Sequence, residues 1–358
     1  MSLSDLEPLP PKVMLESPDV LRALVKAHRY LAELKGIAKT IPNEGILLSS
    51  LSLQEAQSSS AIENIITTQD ALYKHELQTT LADPVTKEVA HYAEALRLGY
   101  TLVKRQGTLT LNTILEIQAC LEGNRAGFRK VPGTVLKNEQ TGQVIFEPPA
   151  PDKIPGYMSA LEQFINTEQN IDPLVCMALI HHQFETIHPF YDGNGRTGRI
   201  INILYLVLSG LLDAPTLYLS RYINQTKYEY YKGLQNVRDG AGWEAWTLYI
   251  LRGVASTAKH TTSLIERIRD LLFEQKKHIR ERHKFYSQDL INNLFHHPYT
   301  KVAFVERDLN VSRATATRYL DALAEDGVLK KQKLGRENCY INFRLINLLF
   351  NMPELVEE

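Results

Sequence analysis

The stretch PLVCMALIHHQFETIHPFYDGNGRTGRIINILYLVL, residues 173–208, decides the fold because two apolar segments flank a loop rich in glycine and charge. Asp172 and Pro173 fit the N-cap and the first position of a helix. Pro189 disfavours helical backbone at the preceding residue, so this helix should end near His188. A second helix should begin within GNGRTGR and continue through the apolar run that follows. The sequence predicts two largely buried helices joined by a short loop.

The composition is that of an ordinary globular protein, with 358 residues, 44% hydrophobic residues and a formal net charge of −1. This length predicts more than one domain. The three cysteines are isolated, which argues against a disulfide framework and a structural zinc site and fits a reducing compartment. The longest apolar run, IINILYLVLSGLL, is shorter than the roughly 20 residues that span a bilayer. We therefore expect a cytoplasmic protein with no membrane partner.

The remaining sequence predicts a mainly α-helical chain in three regions. A helical N-terminal region covers 1–105 and a central region covers 106–275. Strand character within the central region is confined to GTVLKNEQTGQVIFEPP, 133–149, which predicts a β-hairpin. In the C-terminal region, 284–350, a short helix, a turn, a second helix and two β-rich runs follow in the order that resembles a winged helix-turn-helix domain.

The loop between the two central helices has the composition of an anion-binding site. Gly193 and Gly195 allow backbone amides to turn inward and approach a ligand closely. The N-terminus of the following helix adds partial positive charge. Arg196 and Arg199 lie one helical turn apart, so both can face the same anion. These features predict a polyphosphate site.

Two further side chains add metal-binding and acid–base chemistry. Asp192 could bridge magnesium to phosphate oxygens, which favours a nucleoside triphosphate with magnesium as the ligand. His188 could accept a proton from an attacking hydroxyl at neutral pH. A solvated glycine-rich surface turn is the alternative interpretation, and the two apolar flanking segments disfavour it.

Residues 188–199 match the motif H-x-F-x-D/E-G-N-G-R-x-x-R without a departure, and the chain therefore resembles the Fic family. Fic proteins are helical enzymes that mostly transfer AMP from ATP to a hydroxyl side chain of a protein and release pyrophosphate. Relatives that transfer phosphate carry Lys at the second glycine of G-N-G, and Gly195 is intact here. The resemblance implies a protein adenylyltransferase that uses ATP and magnesium.

The same resemblance assigns roles within the motif. It implies that His188 is the general base, Phe190 a buried anchor of the loop and Asp192 the magnesium ligand. Arg196 and Arg199 would contact the β- and γ-phosphates. The full set of implied ATP-binding residues is Gly193, Asn194, Gly195, Arg196, Thr197, Gly198, Arg199 and Tyr231.

Upstream, SSAIEN at 59–64 fits the S/T-x-x-x-E-G/N pattern of the inhibitory helix in self-restrained Fic proteins. By this resemblance Ser59, Glu63 and Asn64 form the inhibitory motif, on a helix over about 54–70. Glu63 would pair with Arg199 and remove the partner that the γ-phosphate needs. A simple surface helix with a capping or paired Glu63 is the alternative interpretation.

The hairpin also gains an implied role, because Fic proteins use a β-hairpin flap to bind the target segment as an added strand. Val135, Val144 and Ile145 are the predicted target-binding residues. Tyr230 and Tyr231 resemble the tyrosine pair near the adenine pocket of family members, although ordinary core packing explains either one singly.

Other interpretations remain open at this stage. His181, Glu185 and His188 share one helix face, as in some zinc hydrolases, although the spacing is not H-E-x-x-H. The chain could instead be a nucleotide-sensing transcriptional regulator whose winged helix binds DNA. Residues 284–344 hold ten Lys and Arg against seven Asp and Glu, which fits DNA binding or protein docking about equally. The target, the acceptor (Tyr, Thr or Ser), self-modification and a homodimer are likewise undecided.

Overall fold

The computed structural model describes residues 6–77, 83–137, 144–167, 169–335 and 337–351, and these form a mainly helical protein. The five N-terminal helices are α1 Pro18–Ala38, α2 Glu44–Ile62, α3 Gln69–Leu77, α4 Pro84–Gln106 and α5 Leu111–Glu122. The central elements are β1 Leu136–Lys137, β2 Val144–Phe146, a 3-10 turn at Pro151–Lys153, α6 Ile154–Asn166, α7 Pro173–Ile187, α8 Asn194–Leu208, α9 Ser220–Gln225, α10 Lys227–Arg238 and α11 Trp243–Arg282. The C-terminal elements are α12 Gln288–His296, β3 Tyr299–Lys301, α13 Val302–Leu309, α14 Arg313–Glu325, β4 Lys330–Leu334, β5 Glu337–Ile341 and α15 Phe343–Phe350.

The helix–loop–helix at the centre is confirmed. Asp172 caps α7, because its carboxylate accepts a hydrogen bond from Leu174 N at 2.8 Å. The helix ends at Ile187, and His188 adopts the left-handed backbone conformation with φ 48°. Both α7 and α8 are buried along most of their length, so the loop between them is held on two rigid supports.

One hydrophobic core connects the N-terminal and central regions. The long helix α11 packs along α1, while α4 packs against both α5 and α8. The buried apolar side chains of these helices form a continuous cluster. Within the described ranges, no helix combines the length and the apolar character needed to cross a membrane.

The bounds of the predicted inhibitory helix need correction. The expected range was about 54–70, but α2 begins at Glu44 behind the N-cap Asn43 and ends at Ile62. Asn64 ends it, because its φ of 61° is left-handed and incompatible with continued α-helix. Glu63 is therefore the C-cap residue of α2, and it lies at the tip of the helix.

The C-terminal region shows the predicted order of elements. Helix α13 is followed by a left-handed turn at Asn310, and the Ser312 hydroxyl caps α14 by accepting from Thr315 N at 3.3 Å. Strands β3, β5 and β4 form an antiparallel sheet in that order, and Lys330 pairs with Ile341. Arg336 lies outside the described residues.

Helix α2 lies between the helices α4, α8 and α9 and this C-terminal region. On one side it packs against α4, α8 and α9, and on the other side against α12. Ser49 on α2 donates to the carbonyl of His296 at 3.0 Å, and Gln54 donates to the carbonyl of Leu349 at 3.0 Å. Tyr73 on α3 stacks on Tyr299 with ring centroids 5.6 Å apart.

Candidate active site

The central loop is fixed by its own backbone contacts. Phe190 is fully buried and packs between Phe128 and Phe184, with centroid distances of 5.6 and 6.2 Å. The side-chain amide of Asn194 accepts from Phe190 N at 2.8 Å and donates to Phe190 O at 2.9 Å. The Asn194 side chain therefore closes the loop by binding the backbone of Phe190. Of the two amide groups of Asn194, the backbone N–H is the one available for a ligand.

His188 is held in place by an arginine that the sequence analysis missed. Arg129 donates from Nε to the carbonyl of His188 at 2.9 Å, and its backbone N donates to the carbonyl of Pro189 at 2.9 Å. A second guanidinium nitrogen donates to the carbonyl of Pro149, just after the hairpin. Arg129 thus ties the hairpin to the loop. A lone arginine between a predicted helix and a hairpin was too weak a signal to single out.

The environment of His188 keeps its imidazole neutral. Burial lowers the pKa of His188 to about 4, and the positive charges of Arg238 and Arg129 add to this effect. Because this pKa lies well below 7, the ring is unprotonated at neutral pH and can accept a proton.

Arg199 is enclosed by the two inhibitory residues that the sequence predicted. Its Nε donates to the Ser59 hydroxyl at 2.7 Å, and one terminal nitrogen donates to the Ser59 carbonyl at 3.0 Å. The same terminal nitrogen contacts Glu63 Oε1 at 2.7 Å. The predicted Glu63–Arg199 contact is therefore present. Asn64 does not share this contact; its side-chain oxygen accepts from Lys227 at 3.2 Å.

Arg196 is surrounded by carboxylates and is only 1% exposed. Its Nε lies 3.0 Å from Glu63 Oε2, so Glu63 bridges both arginines of the motif. Asp192 lies 3.8 Å from Arg196, and two further contacts, to Glu88 at 2.8 Å and to Glu122 at 3.1 Å, were not predicted. Both glutamates come from helices that are distant in sequence, so no local pattern could reveal them.

The motif glycines serve close approach. A Cβ at Gly195 would lie 2.5 Å from Glu63 Oε1, and one at Gly193 would collide with the Glu122 carboxylate. Gly198 brings α8 against α7, because a Cβ there would lie 3.0 Å from Phe184 Cδ1. Thr197 is fully buried beside it. Gly193 and Gly195 therefore face carboxylates at the predicted polyphosphate site. This site consists of the loop at 193–195 and the first turn of α8, and we name it the phosphate cradle. Gly198 and Thr197 contribute to packing instead.

Asp192 has the exposure expected of a metal ligand. One carboxylate oxygen accepts from Gly193 N at 2.7 Å, and the side chain is 78% exposed. Magnesium usually binds proteins through one or two carboxylates together with substrate phosphates and water. The position of Asp192, at the edge of the cradle, fits such a site.

The predicted hairpin is present beside this loop. Leu136 pairs with Phe146 in the antiparallel register, and residues 138–143, where the sequence predicts the turn, lie outside the described residues. Val144 and Ile145 are about half exposed, and Val135 is half-buried. The guanidinium of Arg238 stacks over the Phe146 ring at 4.1 Å, which connects β2 to α10.

The tyrosine pair has one buried and one exposed member. The Tyr230 hydroxyl and His181 Nε2 are 2.8 Å apart, whereas Tyr231 is about half exposed and packs edge-on against Tyr230. Tyr231 is thus the member able to line an open pocket.

The zinc-hydrolase interpretation gains no support. His181 is bound to Tyr230, and His182 packs edge-on against Trp243 at 4.8 Å. In the part of the chain that the structure describes, no three His, Cys, Asp or Glu side chains are grouped so as to hold a metal ion.

Three consecutive stretches of the chain match family models of Fic proteins. Residues 21–101 match the model described as "Fic/DOC family N-terminal", and residues 108–206 match "Fic/DOC family". Residues 271–345 match "Protein adenylyltransferase SoFic-like, C-terminal domain". The matches include the helix that carries Ser59, the central motif and the C-terminal region.

Two relatives align over parts of the chain. The "Probable protein adenylyltransferase" of Aquifex aeolicus is 38% identical over 79 residues, which are 22% of this chain and 25% of that protein. "Protein adenylyltransferase Fic" of Culex quinquefasciatus is 31% identical over 145 residues, 40% of this chain and 27% of that protein. The chain therefore spans about a quarter of the length of these relatives.

Solved structures share the fold. A Fic family protein from Desulfovibrio desulfuricans superposes with a TM-score of 0.57 at 19% identity, covering 93% of this chain and 98% of that one. Fic-1 from Caenorhabditis elegans superposes with a TM-score of 0.52 at 20% identity, covering 70% of this chain and 73% of that one. With the three family models, the intact motif and this shared fold, the chain belongs to the Fic/DOC family.

Proposed function

We propose that this protein is an adenylyltransferase that transfers AMP from ATP to a Tyr, Thr or Ser hydroxyl of a target protein. The observation that carries the proposal is the half-buried His188 just after α7, whose lowered pKa keeps the imidazole neutral, next to a cradle formed by the N-terminus of α8. The names of the aligned relatives support the same activity.

In the proposed reaction, the target hydroxyl attacks the α-phosphorus of ATP. A bond forms between the hydroxyl oxygen and the α-phosphorus, the bond from that phosphorus to the bridging oxygen breaks, and pyrophosphate leaves. The imidazole of His188 accepts the hydroxyl proton. The backbone amides at Gly193 to Gly195 and the guanidinium groups of Arg196 and Arg199 stabilise the phosphate charge.

Magnesium held by Asp192 would neutralise phosphate charge when it is bound with ATP. Asp192 itself lies in the loop between the base and the cradle, so it can orient a metal without contacting the target.

Glu63 restrains this activity in our proposal. Its two carboxylate oxygens lie on Arg199 and Arg196, at 2.7 and 3.0 Å, and so occupy both arginines that a triphosphate needs. Ser59 accepts from Nε of Arg199 at 2.7 Å. Triphosphate binding therefore competes with two ion pairs at the tip of α2.

The hairpin β1–β2 binds the target in this proposal. An extended target segment would pair with it as an added strand, and the exposed Val144 and Ile145 would contact target side chains. Arg129 connects the segment after the hairpin to the loop of His188, which supports a bound hydroxyl near His188.

The alternative, a transcriptional regulator that senses nucleotide, is not favoured. The C-terminal region itself matches a family model described for an adenylyltransferase. A nucleic-acid or protein partner at this region stays a prediction, as do the cytoplasmic location, self-modification and a homodimer.

The test uses three purified proteins: wild type, Glu63→Gly, and Glu63→Gly with His188→Ala. Each is incubated with ATP labelled on the α-phosphate, and modified residues are mapped by mass spectrometry. We expect Glu63→Gly to raise labelling about 10- to 100-fold, the effect of losing charge-assisted contacts to the arginines. Adding His188→Ala should lower it by roughly 100- to 10,000-fold. Labelling that persists without His188, or that never occurs in Glu63→Gly, contradicts the proposal.

A further inference from the structure

Glu122 reaches the phosphate cradle from the end of α5, whereas Glu63 reaches it from the end of α2. Its carboxylate lies 3.1 Å from Arg196 and directly against Gly193, where even a methyl group would collide with it. Glu63 lies in the same way against Gly195. Each glycine of the G-N-G segment is thus covered by one carboxylate, and these glycines are the positions that a phosphate should approach.

The local environment of Glu122 does not favour its charge. Glu122 is the last residue of α5, where the partial negative charge of the helix end repels a carboxylate. The side chain is only 12% exposed. Burial raises the pKa of Glu122; Arg196 opposes this effect, and Asp192, Glu88 and Glu63 add to it.

Arg196 and the N-terminus of α8 are therefore the favourable partners of this carboxylate. They are the same groups to which the proposed function assigns phosphate oxygens. A buried carboxylate and a phosphate cannot share them without strong repulsion, because the site is poorly screened by water.

We propose that Glu122 is a second carboxylate that competes with the triphosphate of the nucleotide, independently of Glu63, and so sets nucleotide affinity. This inference rests on the proposed function, since it assumes that the cradle binds phosphates. Removing Glu63 alone leaves half of the cradle covered. Full access requires that Glu122 also leaves Arg196.

The chain offers a matched control for this role. Glu88 also pairs with Arg196, at 2.8 Å, but it is 40% exposed and is not among the atoms nearest to Gly193 or Gly195. A residue that merely orients Arg196 should behave like Glu88. A residue that occupies the cradle should not.

The experiment measures equilibrium binding of ATP with magnesium, and of adenosine, by calorimetry. The parent protein carries Glu63→Gly and His188→Ala, so that AMP transfer should be too slow to disturb the binding measurement. Glu122→Gln or Glu88→Gln is added to this parent. We expect Glu122→Gln to tighten ATP binding roughly 10- to 100-fold, because a charged competitor becomes neutral at nearly the same size. Adenosine binding should stay unchanged, and Glu88→Gln should have a several-fold smaller effect on ATP.

Two results would overturn the inference: ATP affinity that falls or stays level in Glu122→Gln, or a gain that Glu88→Gln reproduces. Thermal unfolding of each variant shows whether it is folded. Failure of the proposed function looks different, because Glu63→Gly then shows no AMP transfer with His188 intact.

Discussion

Arg129 donates from Nε to the carbonyl oxygen of His188 at 2.9 Å. This contact connects the residue proposed as the base to a side chain 59 positions earlier in the chain. Since a second nitrogen of the same guanidinium binds the carbonyl of Pro149, the base and the hairpin share one support. Arg129 is buried, so its charge also acts on the imidazole at short range.

Replacing Arg129 should impair turnover more than nucleotide binding. In Arg129→Met, in the Glu63→Gly background, the two side-chain contacts to the carbonyls of His188 and Pro149 are lost while Arg196 and Arg199 are untouched. We expect kcat to fall roughly 10- to 100-fold, with the KM for ATP changed less than threefold. Arg129→Lys keeps the charge without the fork and should be intermediate. A fall in kcat accompanied by an equally large rise in the KM for ATP would indicate general disruption of the fold.

The pH dependence of transfer should reflect the lowered pKa of His188. Because this pKa is about 4, the base is unprotonated from about pH 5 upward, and its protonation should not reduce the rate at pH 6. Arg238→Met removes one positive charge that lowers the pKa, so the pKa should rise toward the usual value near 6.5.

Because burial, the largest cause of the lowered pKa, remains in Arg238→Met, the measurement is the ratio of transfer rates at pH 5 and pH 8 in each variant. This ratio cancels effects that do not depend on pH, such as loss of the contact with Phe146. We expect a ratio near one in the parent, a clearly lower ratio in Arg238→Met, and a parent-like ratio in Arg238→Lys. An unchanged ratio in Arg238→Met would mean that the charge of Arg238 does not control the base.

Contiguous features of this fold and site were predictable from the sequence. The ends of α7 and the start of α8 could be predicted because helix capping and proline act only on neighbouring residues. Here these residues are Asp172, Pro173 and Pro189. The contact of Glu63 with Arg199 could be predicted only from the resemblance to the Fic family, because the two residues are 136 positions apart.

The unpredicted features depend on long-range packing. Glu88, Glu122 and Arg129 reach the site from separate helices and a loop, and their local sequence gives no period or motif that marks them. The helix bounds of α2 were wrong because apolar and small residues continue past Ile62, whereas the chain turns at the left-handed Asn64.

Nucleic-acid binding by the C-terminal region predicts a steep salt dependence. Arg313 and Arg318 on α14 and Lys330 and Lys333 on β4 are exposed, whereas Lys331 is paired with Asp321 at 2.6 Å. If these side chains contact phosphates, the logarithm of the affinity for duplex DNA should fall as the logarithm of the salt concentration rises. The slope should be about 0.9 per contact. Mobility shifts of wild type and Arg313→Ala test this, and Lys331→Ala is the control.

DNA binding that does not depend on the salt concentration, or no DNA binding, would contradict this prediction. A protein partner of the C-terminal region would then be the remaining prediction. A slope that Lys331→Ala lowers as much as Arg313→Ala would show that the ion pair of Lys331 with Asp321 does not keep Lys331 from contacting phosphate.

The end of α2 offers a way to release the restraint without touching either arginine. Asn64 has φ 61°, which asparagine and glycine tolerate and which costs a β-branched residue about 1–2 kcal/mol. Asn64→Val should therefore strain the last turn of α2, shift Glu63 from Arg199 and Arg196, and raise self-labelling by about 5- to 30-fold.

Asn64→Gly is the matched control, because it also removes the contact with Lys227 but fits the backbone. It should keep the wild-type rate within about twofold, a change that corresponds to roughly 0.4 kcal/mol. If Asn64→Gly activates as much as Asn64→Val, the side chain of Asn64 rather than the backbone holds Glu63 in place. The preference for glycine or asparagine after the inhibitory glutamate would then need an explanation other than the left-handed turn.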